Sequence, residues 1–255
     1  MVLYKVEDRV AWITLNRPDK RNALNAEMVS ALKDALSRAE SDQSAKVIVI
    51  GASGKSFCSG ADLSSLEKMQ SNSYEENLAD SNHLAELFQQ IYKHPKVVVA
   101  QIQGAAIAGG CGLATVCDFS VAAEHAKFGY SEARIGFVPA IVMIYLINKI
   151  GEGKARELLL SASIIDANSA KDYGLINHVV PSGELDARVR QLTKSLVEEC
   201  SGDSLRITKE MLSKLQGMSV DDAIGFAAQM NARARSSEDC KRGILAFLNK
   251  EKISW

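Results

Sequence analysis

Apolar residues along the chain follow two periods, one of strands and one of helices. Val2 to Val6 and Val10 to Leu15 alternate enough to predict two strands of a hairpin around Glu7-Asp8-Arg9. Met28, Val29, Leu32, Ala35, Leu36 and Ala39 then recur at helical spacing, with Asn25 placed to cap that helix. Lys46 to Gly51 is a continuous apolar run, the composition of a strand buried on both faces. Ser73 to Tyr92 predicts a long helix with Leu84, Leu87, Phe88 and Ile91 on one face, ended before Pro95. Val97 to Ile102 repeats the buried-strand signal and gives way to small residues, so a helix is expected to start near Cys111 and continue from Leu113 to Cys117. Phe119 to Ala123 predicts a further strand, Ala140 to Ile150 and Gly153 to Leu160 two helices, and Leu175 to Val180 a last short strand. From Glu184 only helical spacing remains, through Leu185, Val189, Leu192 and Leu196 and on to Ile244 and Phe247.

Strands alternating with helices imply an α/β fold with parallel pairing through right-handed crossovers. The loss of strand signal places a boundary near 195, between an α/β core over 1–195 and a helical region over 196–255. Neither a low-complexity linker nor an internal repeat is visible. In such folds the turns after successive strands gather at the carboxyl edge of a sheet, where ligands bind. Ala61 and Gly109 are far apart in sequence yet could meet at one such edge, with Glu132 on the next turn.

Composition narrows the class. Hydrophobic residues make up 47% of 255 and charged ones 24%, which is the balance of a globular domain. A net charge of −1 gives no general attraction to nucleic acid or acidic lipid, so an anionic ligand needs a local cluster. No apolar run approaches a membrane span, and the start M-V-L-Y-K-V-E-D is too polar for a signal peptide, so the expected location is cytoplasmic. Five cysteines without CxxC pairs point to reduced thiols, and four scattered histidines add nothing toward a metal site.

Candidate chemistry lies in the turns. Gly109 and Gly110 stand where a helix start leaves backbone N–H groups unpaired, and without side chains they let a ligand approach the main chain. The occupant would be an anion or a developing oxyanion, although such a turn can also serve close packing alone. The loop from Asn16 to Asn22 holds three cations, Arg17, Lys20 and Arg21, and is either a solvated turn or a phosphate clamp. Gly54-Lys55-Ser56 is not a P-loop, because Val49 stands where a glycine is required, and no strand is followed by G-x-G-x-x-G. Glu132, in the Gly/Pro-punctuated loop Lys127 to Pro139, is either a solvated partner of Arg134 or a general acid/base. Cys58 and Cys111 flank the glycine turn, but no histidine lies near either in sequence, so they read as packing residues. Asp118 reads as a structural cap or ion-pair partner.

Four stretches in order resemble the crotonase superfamily, the enoyl-CoA hydratases and isomerases. They are Asn16-Arg17-Pro18 to Asn25, Phe57-Cys58-Ser59-Gly60-Ala61-Asp62-Leu63, Gly104 to Asp118, and Phe128-Gly129-Tyr130-Ser131-Glu132 to Pro139. The resemblance spans essentially the whole chain. It implies a crotonase-like spiral of repeated ββα units, with a C-terminal helical region that forms trimers, commonly paired as hexamers. The implied ligand is an acyl-CoA thioester, with no separate cofactor and no metal. Carried over by position, the oxyanion hole falls on the N–H groups of Ala61 and Gly109, and Glu132 becomes the acid/base. Contact with substrate or CoA is implied for Lys20, Arg21, Ala23, Leu24, Gly60, Asp62, Leu63, Gly110, Gly112 and Phe137. Asp62 and Leu63 would border the adenine, and Phe247 and Lys250 match a pair reaching into a neighbouring subunit's CoA site.

The sequence departs from the resemblance in two places. Many hydratases of the superfamily carry a second glutamate where this chain has Gly112. Many also continue with glycines after the position of Pro139, where this chain reads Ala140-Ile141-Val142-Met143-Ile144-Tyr145, a bulkier wall beside the acyl group. Three functions therefore stay open: hydration of a 2-enoyl-CoA, including branched methylglutaconyl-like ones; Δ3,Δ2-enoyl-CoA isomerisation with Glu132 as proton shuttle; and a catalytically silent CoA-binding scaffold.

Overall fold

The structure is a computed structural model that describes residues 1–255, the side chain of Leu63 excepted. In chain order the strands are β1 (Val2–Glu7), β2 (Val10–Leu15), β3 (Val47–Ala52), β4 (Ser56–Cys58), β5 (Val97–Ile102), β6 (Ala105–Ile107), β7 (Phe119–Ala123), β8 (Lys127–Gly129), β9 (Ile164–Asp166) and β10 (His178–Val180). The helices are α1 (Ala26–Ser41), α2 (Leu63–Met69), α3 (Tyr74–Lys93), α4 (Gly109–Thr115), α5 (Ala140–Ser161), α6 (Ala167–Asp172), α7 (Leu185–Glu198), α8 (Gly202–Lys214), α9 (Val220–Arg235) and α10 (Glu238–Leu248).

The expected hairpin forms, with β1 and β2 antiparallel. Asp8 and Arg9 sit at its tip at φ 51° and 60°, the mirror-image turn whose twist suits a hairpin. β3, β5, β7 and β10 join in parallel to give a six-stranded sheet in the order β1-β2-β3-β5-β7-β10. The central strands are buried along nearly their whole length, which is why they read as continuous apolar runs. Residues such as Ile13, Ile48, Ile50, Val98 and Ala100 pack on one face with α1, α3 and α4. Val10, Trp12, Val47, Val49, Val97 and Val99 pack on the other with Leu185, Val189 and Val197 of α7.

A second sheet, in the order β4-β6-β8-β9, is absent from the pattern-based reading. β4, β6 and β8 run parallel, and β9 closes the edge antiparallel to β8. Its strands are too short for a period of two to show. Thus Val97 to Gly112 is not one strand turning into a helix: β5 ends at Ile102, β6 intervenes, and α4 starts at Gly109 rather than near Cys111. Gly104 makes the step between the sheets possible, since a methyl there would lie 2.0 Å from the Lys55 carbonyl oxygen. Likewise the stretch 127–139 is not all loop but contains β8 and a 3-10 turn over Glu132–Ile135. The last strand is confined to His178–Val180, because the amides of Leu175 and Ile176 close the turn after α6 onto the Ala170 carbonyl.

Asn25 caps α1 as expected, its side chain accepting from Met28 N. The two helices expected over 140–160 form one element broken at Gly151, whose φ of 76° and ψ of 160° are not helical. A boundary near 195 falls inside α7, which packs on the long sheet, and Leu205 of α8 still packs against the same face. The tail helices α8, α9 and α10 each begin on a serine cap, Ser201, Ser219 and Ser237. The tail is tied back by Lys209 of α8, whose ammonium donates to the carbonyls of Ile91 and Lys96 and pairs with Asp118 at 2.6 Å. Asp118 also accepts from Val98 N at 2.7 Å, which gives it the structural role read from sequence. Among the described residues, no helix is long and apolar enough to cross a membrane.

Candidate active site

The three residues assigned to chemistry follow the three parallel strands of the short sheet. Ala61 comes after β4, Gly109 after β6 and Glu132 after β8. Parallel strands put these three turns on one carboxyl edge, so the convergence follows from topology. The edge belongs to the second sheet, not to the long sheet that sequence pattern makes visible.

The backbone of the first two turns is in contact. A methyl built on Gly60, at φ 88°, would lie 2.8 Å from Ala108 Cβ and 3.4 Å from Gly109 N. Ala61 pairs as an isolated parallel bridge with Leu24, whose N–H donates to the Gly60 carbonyl and whose carbonyl accepts from Asp62 N. A parallel bridge bonds the residues flanking its centre, so the N–H of Ala61 faces away from Leu24. Among the described residues no main-chain acceptor takes it. Gly109 opens α4, where N–H groups have no partner four residues back. The residue before it, Ala108, has φ 51° and ψ −126°, a conformation that strains any side chain and aims the helix start. Nothing in A-A-I-A-G-G announces this strain.

Glu132 starts the third turn and is 9% exposed. Its Oε2 is buried with no hydrogen-bond partner among the described residues. Burial pushes its carboxyl above the ordinary glutamate value. After burial, its charge adds a small upward push to the Cys111 thiol in the first turn of α4 and to the Tyr130 hydroxyl. Two further bonds lock this turn to α4: the Tyr130 hydroxyl meets Thr115 Oγ1 at 2.6 Å, and Ala108 N donates to Gly129 O at 2.8 Å. Tyr130 and Thr115 escape sequence reasoning because an aromatic and a threonine inside apolar runs look like ordinary core.

The two glycines of the helix start differ. A methyl on Gly110 would meet the Cys58 carbonyl oxygen at 2.1 Å, so this glycine is required by packing of α4 on β4. A methyl on Gly109 would meet only Leu24 Cδ1 at 3.5 Å and Gly60 Cα at 3.9 Å. Gly112 is buried with no free space: a methyl would lie 2.2 Å from Val142 Cγ1 and 3.1 Å from the Phe88 ring. The two departures from the superfamily pattern are therefore one feature. The position that carries a second glutamate in many hydratases is filled here by Val142, from the bulky segment after Pro139.

The cations of the 16–22 loop divide. Lys20 and Arg21 are exposed, whereas Arg17 forms an ion pair with Asp62 at 2.8 Å, largely out of solvent. Asp62 also caps α2, accepting from Ser64 N at 2.9 Å and Ser64 Oγ at 2.6 Å. These Ser64 bonds, then the Arg17 charge, hold its carboxyl below the usual carboxylate range. Ala23 and Leu24 are buried against the edge, and Phe137 is exposed beside the Glu132 turn. The expectation for Leu63 falls on a side chain outside the described residues. Phe247, 82% exposed on α10, and Lys250 just beyond it belong to the tail. Cys58 and Cys111 are fully buried and their thiols are pushed up to about 12 by burial, which removes them as nucleophiles. A cavity of about 440 Å³ between Arg9, Trp12, Arg190 and Trp255 lies on the α7 side of the long sheet, away from these groups.

The family model for enoyl-CoA hydratase/isomerase matches residues 5–255. The chain belongs to the enoyl-CoA hydratase/isomerase family. A Thermus thermophilus member provisionally named an enoyl-CoA hydratase is 41% identical over 94% of this chain and 95% of its own. The crotonyl-CoA hydratase of Syntrophomonas wolfei is 30% identical over 100% of this chain and 97% of its own. Among solved structures, an enoyl-CoA hydratase from Shewanella pealeana superposes with a TM-score of 0.94 at 31% identity, covering 100% of this chain and 95% of that one. The α/β architecture with a helical C-terminal region is thus the crotonase fold of the hydratase/isomerase family.

Proposed function

We propose that the protein is an enoyl-CoA hydratase-type lyase that adds water reversibly across the 2,3 double bond of an enoyl-CoA thioester. The observation that carries this reading is the meeting, on one sheet edge, of two amides without main-chain acceptors and a largely desolvated carboxyl. In the forward direction Glu132 takes a proton from water as the oxygen bonds to C3. The electron pair of the double bond moves toward the thioester oxygen, and the resulting enolate is held by the N–H groups of Ala61 and Gly109. Glu132 then gives the proton to C2. Aimed donors of this kind contribute roughly 10²- to 10³-fold each, and a positioned acid/base roughly 10²- to 10⁴-fold. Lys20 and Arg21 are exposed and can meet the phosphates of CoA, Asp62 borders the adenine, and Ala23, Leu24, Gly60 and Gly110 line the edge that takes the rest of the ligand. The names of the relatives support a short acyl chain, and a branched one such as methylglutaconyl stays within the resemblance.

One observation favours a second reading. Because Val142 and Phe88 close the space beside Gly112, Glu132 is the one carboxyl assigned to the reacting carbons. A single carboxylate suffices to carry a proton from C4 to C2, so a Δ3,Δ2-enoyl-CoA isomerase is the alternative. The purified protein incubated with crotonyl-CoA should bleach the conjugated 2-enoyl absorbance. Conjugation appearing from a 3-enoyl-CoA, with crotonyl-CoA untouched, replaces the lyase by the isomerase. No turnover of either leaves a non-catalytic CoA-binding protein, and Glu132→Gln with unchanged turnover refutes the acid/base role of Glu132.

A further inference from the structure

Ala61 and Gly109 arrive on different elements, so their separation must be set by something that touches both. Leu24 does. Its N–H donates to Gly60 O at 2.7 Å and its carbonyl accepts from Asp62 N at 3.0 Å, bracketing Ala61 and turning that amide outward. Its Cδ1 stands 3.5 Å from the position a methyl on Gly109 would take, and the residue is 6% exposed. The loop behind it is rigidly tied. Asn22 is fully buried; its Oδ1 accepts from Arg17 N at 2.9 Å, and its Nδ2 donates to Ser53 O at 2.8 Å and Ser56 O at 2.9 Å. Ser59 N donates to Arg21 O at 3.1 Å, and the Arg17–Asp62 ion pair closes the far side. A side chain mounted on such a frame acts as a spacer.

We propose that Leu24 is a positioning residue of the oxyanion hole: its main chain aims the Ala61 amide, and its side chain fixes how far α4 and the Gly109 amide stand from it. This role is separate from any contact of Leu24 with CoA, and it rests on the enolate reading given above. Shortening the side chain lets the start of α4 shift against the β4 turn while the bracketing main-chain bonds persist. Recognition of the thioester carbonyl should then suffer more than the grip on CoA.

The test compares butyryl-CoA, a thioester, with its S-butyl thioether, which lacks the carbonyl oxygen, and follows crotonyl-CoA turnover in parallel. Wild type should bind the thioester more tightly than the thioether. Leu24→Ala should lose that preference and about tenfold in kcat, less than the 10²- to 10³-fold of losing a donor outright. Its affinity for the thioether should fall less than its affinity for the thioester, because only the thioester carbonyl reads the spacing of the two amides. Leu24→Met, of nearly the same volume, should recover most of the loss. If Leu24→Ala keeps the thioester preference, or weakens both ligands equally, the positioning role is wrong. If Leu24→Ala does not fold, Leu24→Val carries the same comparison with the same two outcomes. A wild-type protein that binds thioester and thioether equally has no working hole, and then the enolate reading and the Leu24 role fall together.

Discussion

Glu132 is held where a carboxylate is least comfortable, with one oxygen buried and unpartnered. Because burial raises its pKa, the folded chain binds this proton more tightly than the unfolded chain does. Stability from this group therefore falls as pH rises from the ordinary carboxylate value through the raised one, and above the raised value the fold bears the full penalty. Glu132→Gln should melt no lower than wild type at pH 7, with the difference vanishing at acid pH, while turnover drops by at least about 10²-fold. In wild type, the acid limb of the pH–rate profile should lie above the ordinary glutamate value, because the base must be ionised to act. A limb at the ordinary value, or a Gln variant that melts well below wild type, would mean the carboxyl is solvated or structurally needed. The neighbouring glycines separate the same way. Gly110→Ala should fail to fold or melt far below wild type, since a carbonyl oxygen occupies the space. Gly109→Ala should stay folded and lose turnover, because there the protein leaves room and only a ligand comes close. Equal melting temperatures for the two variants would refute this distinction.

At the scale of elements, the long strands and amphipathic helices were legible in the sequence because burial on one or two faces writes a period. The short sheet was not. Ser56–Cys58, Ala105–Ile107, Lys127–Gly129 and Ile164–Asp166 are three residues each and carry no period, yet the first three lead into the turns that hold the candidate residues. The candidate residues were legible through motif resemblance, while their geometric support was not: Arg17 on Asp62, Tyr130 on Thr115 and strained Ala108 all join segments distant in sequence or depend on local backbone shape. The contact between α4 and α5 yields a prediction of its own. Gly112→Glu alone should lose at least about 2 kcal/mol of stability in a denaturant titration, through overpacking and a buried charge. Combined with Val142→Ala, which opens the same space, the loss should be smaller than the sum of the single losses by about 1 kcal/mol or more. Additive losses would show that Val142 does not close the 112 position.

Across the whole molecule, the C-terminal helices leave Leu212, Val220, Ile224, Leu245, Phe247 and Leu248 largely exposed. Isolated apolar residues on a surface are ordinary, but a tail carrying this many is expected to be covered. With the trimers or hexamers implied by family resemblance, sedimentation at micromolar concentration should give a mass at least three times the 27.6 kDa chain, reduced by Phe247→Asp. A monomer under those conditions would refute the expectation. The sequence by itself determined the class of fold, the helical tail, the Asn25 cap and the motif positions of Ala61, Gly109 and Glu132, because these depend on local period, turn chemistry and order along the chain. The tertiary structure alone decided that Arg17 serves Asp62, that Leu24 stands between two amides and that Val142 fills the place beside Gly112. Those are contacts between segments far apart in the chain, and no spacing along one segment can report where another segment comes to rest.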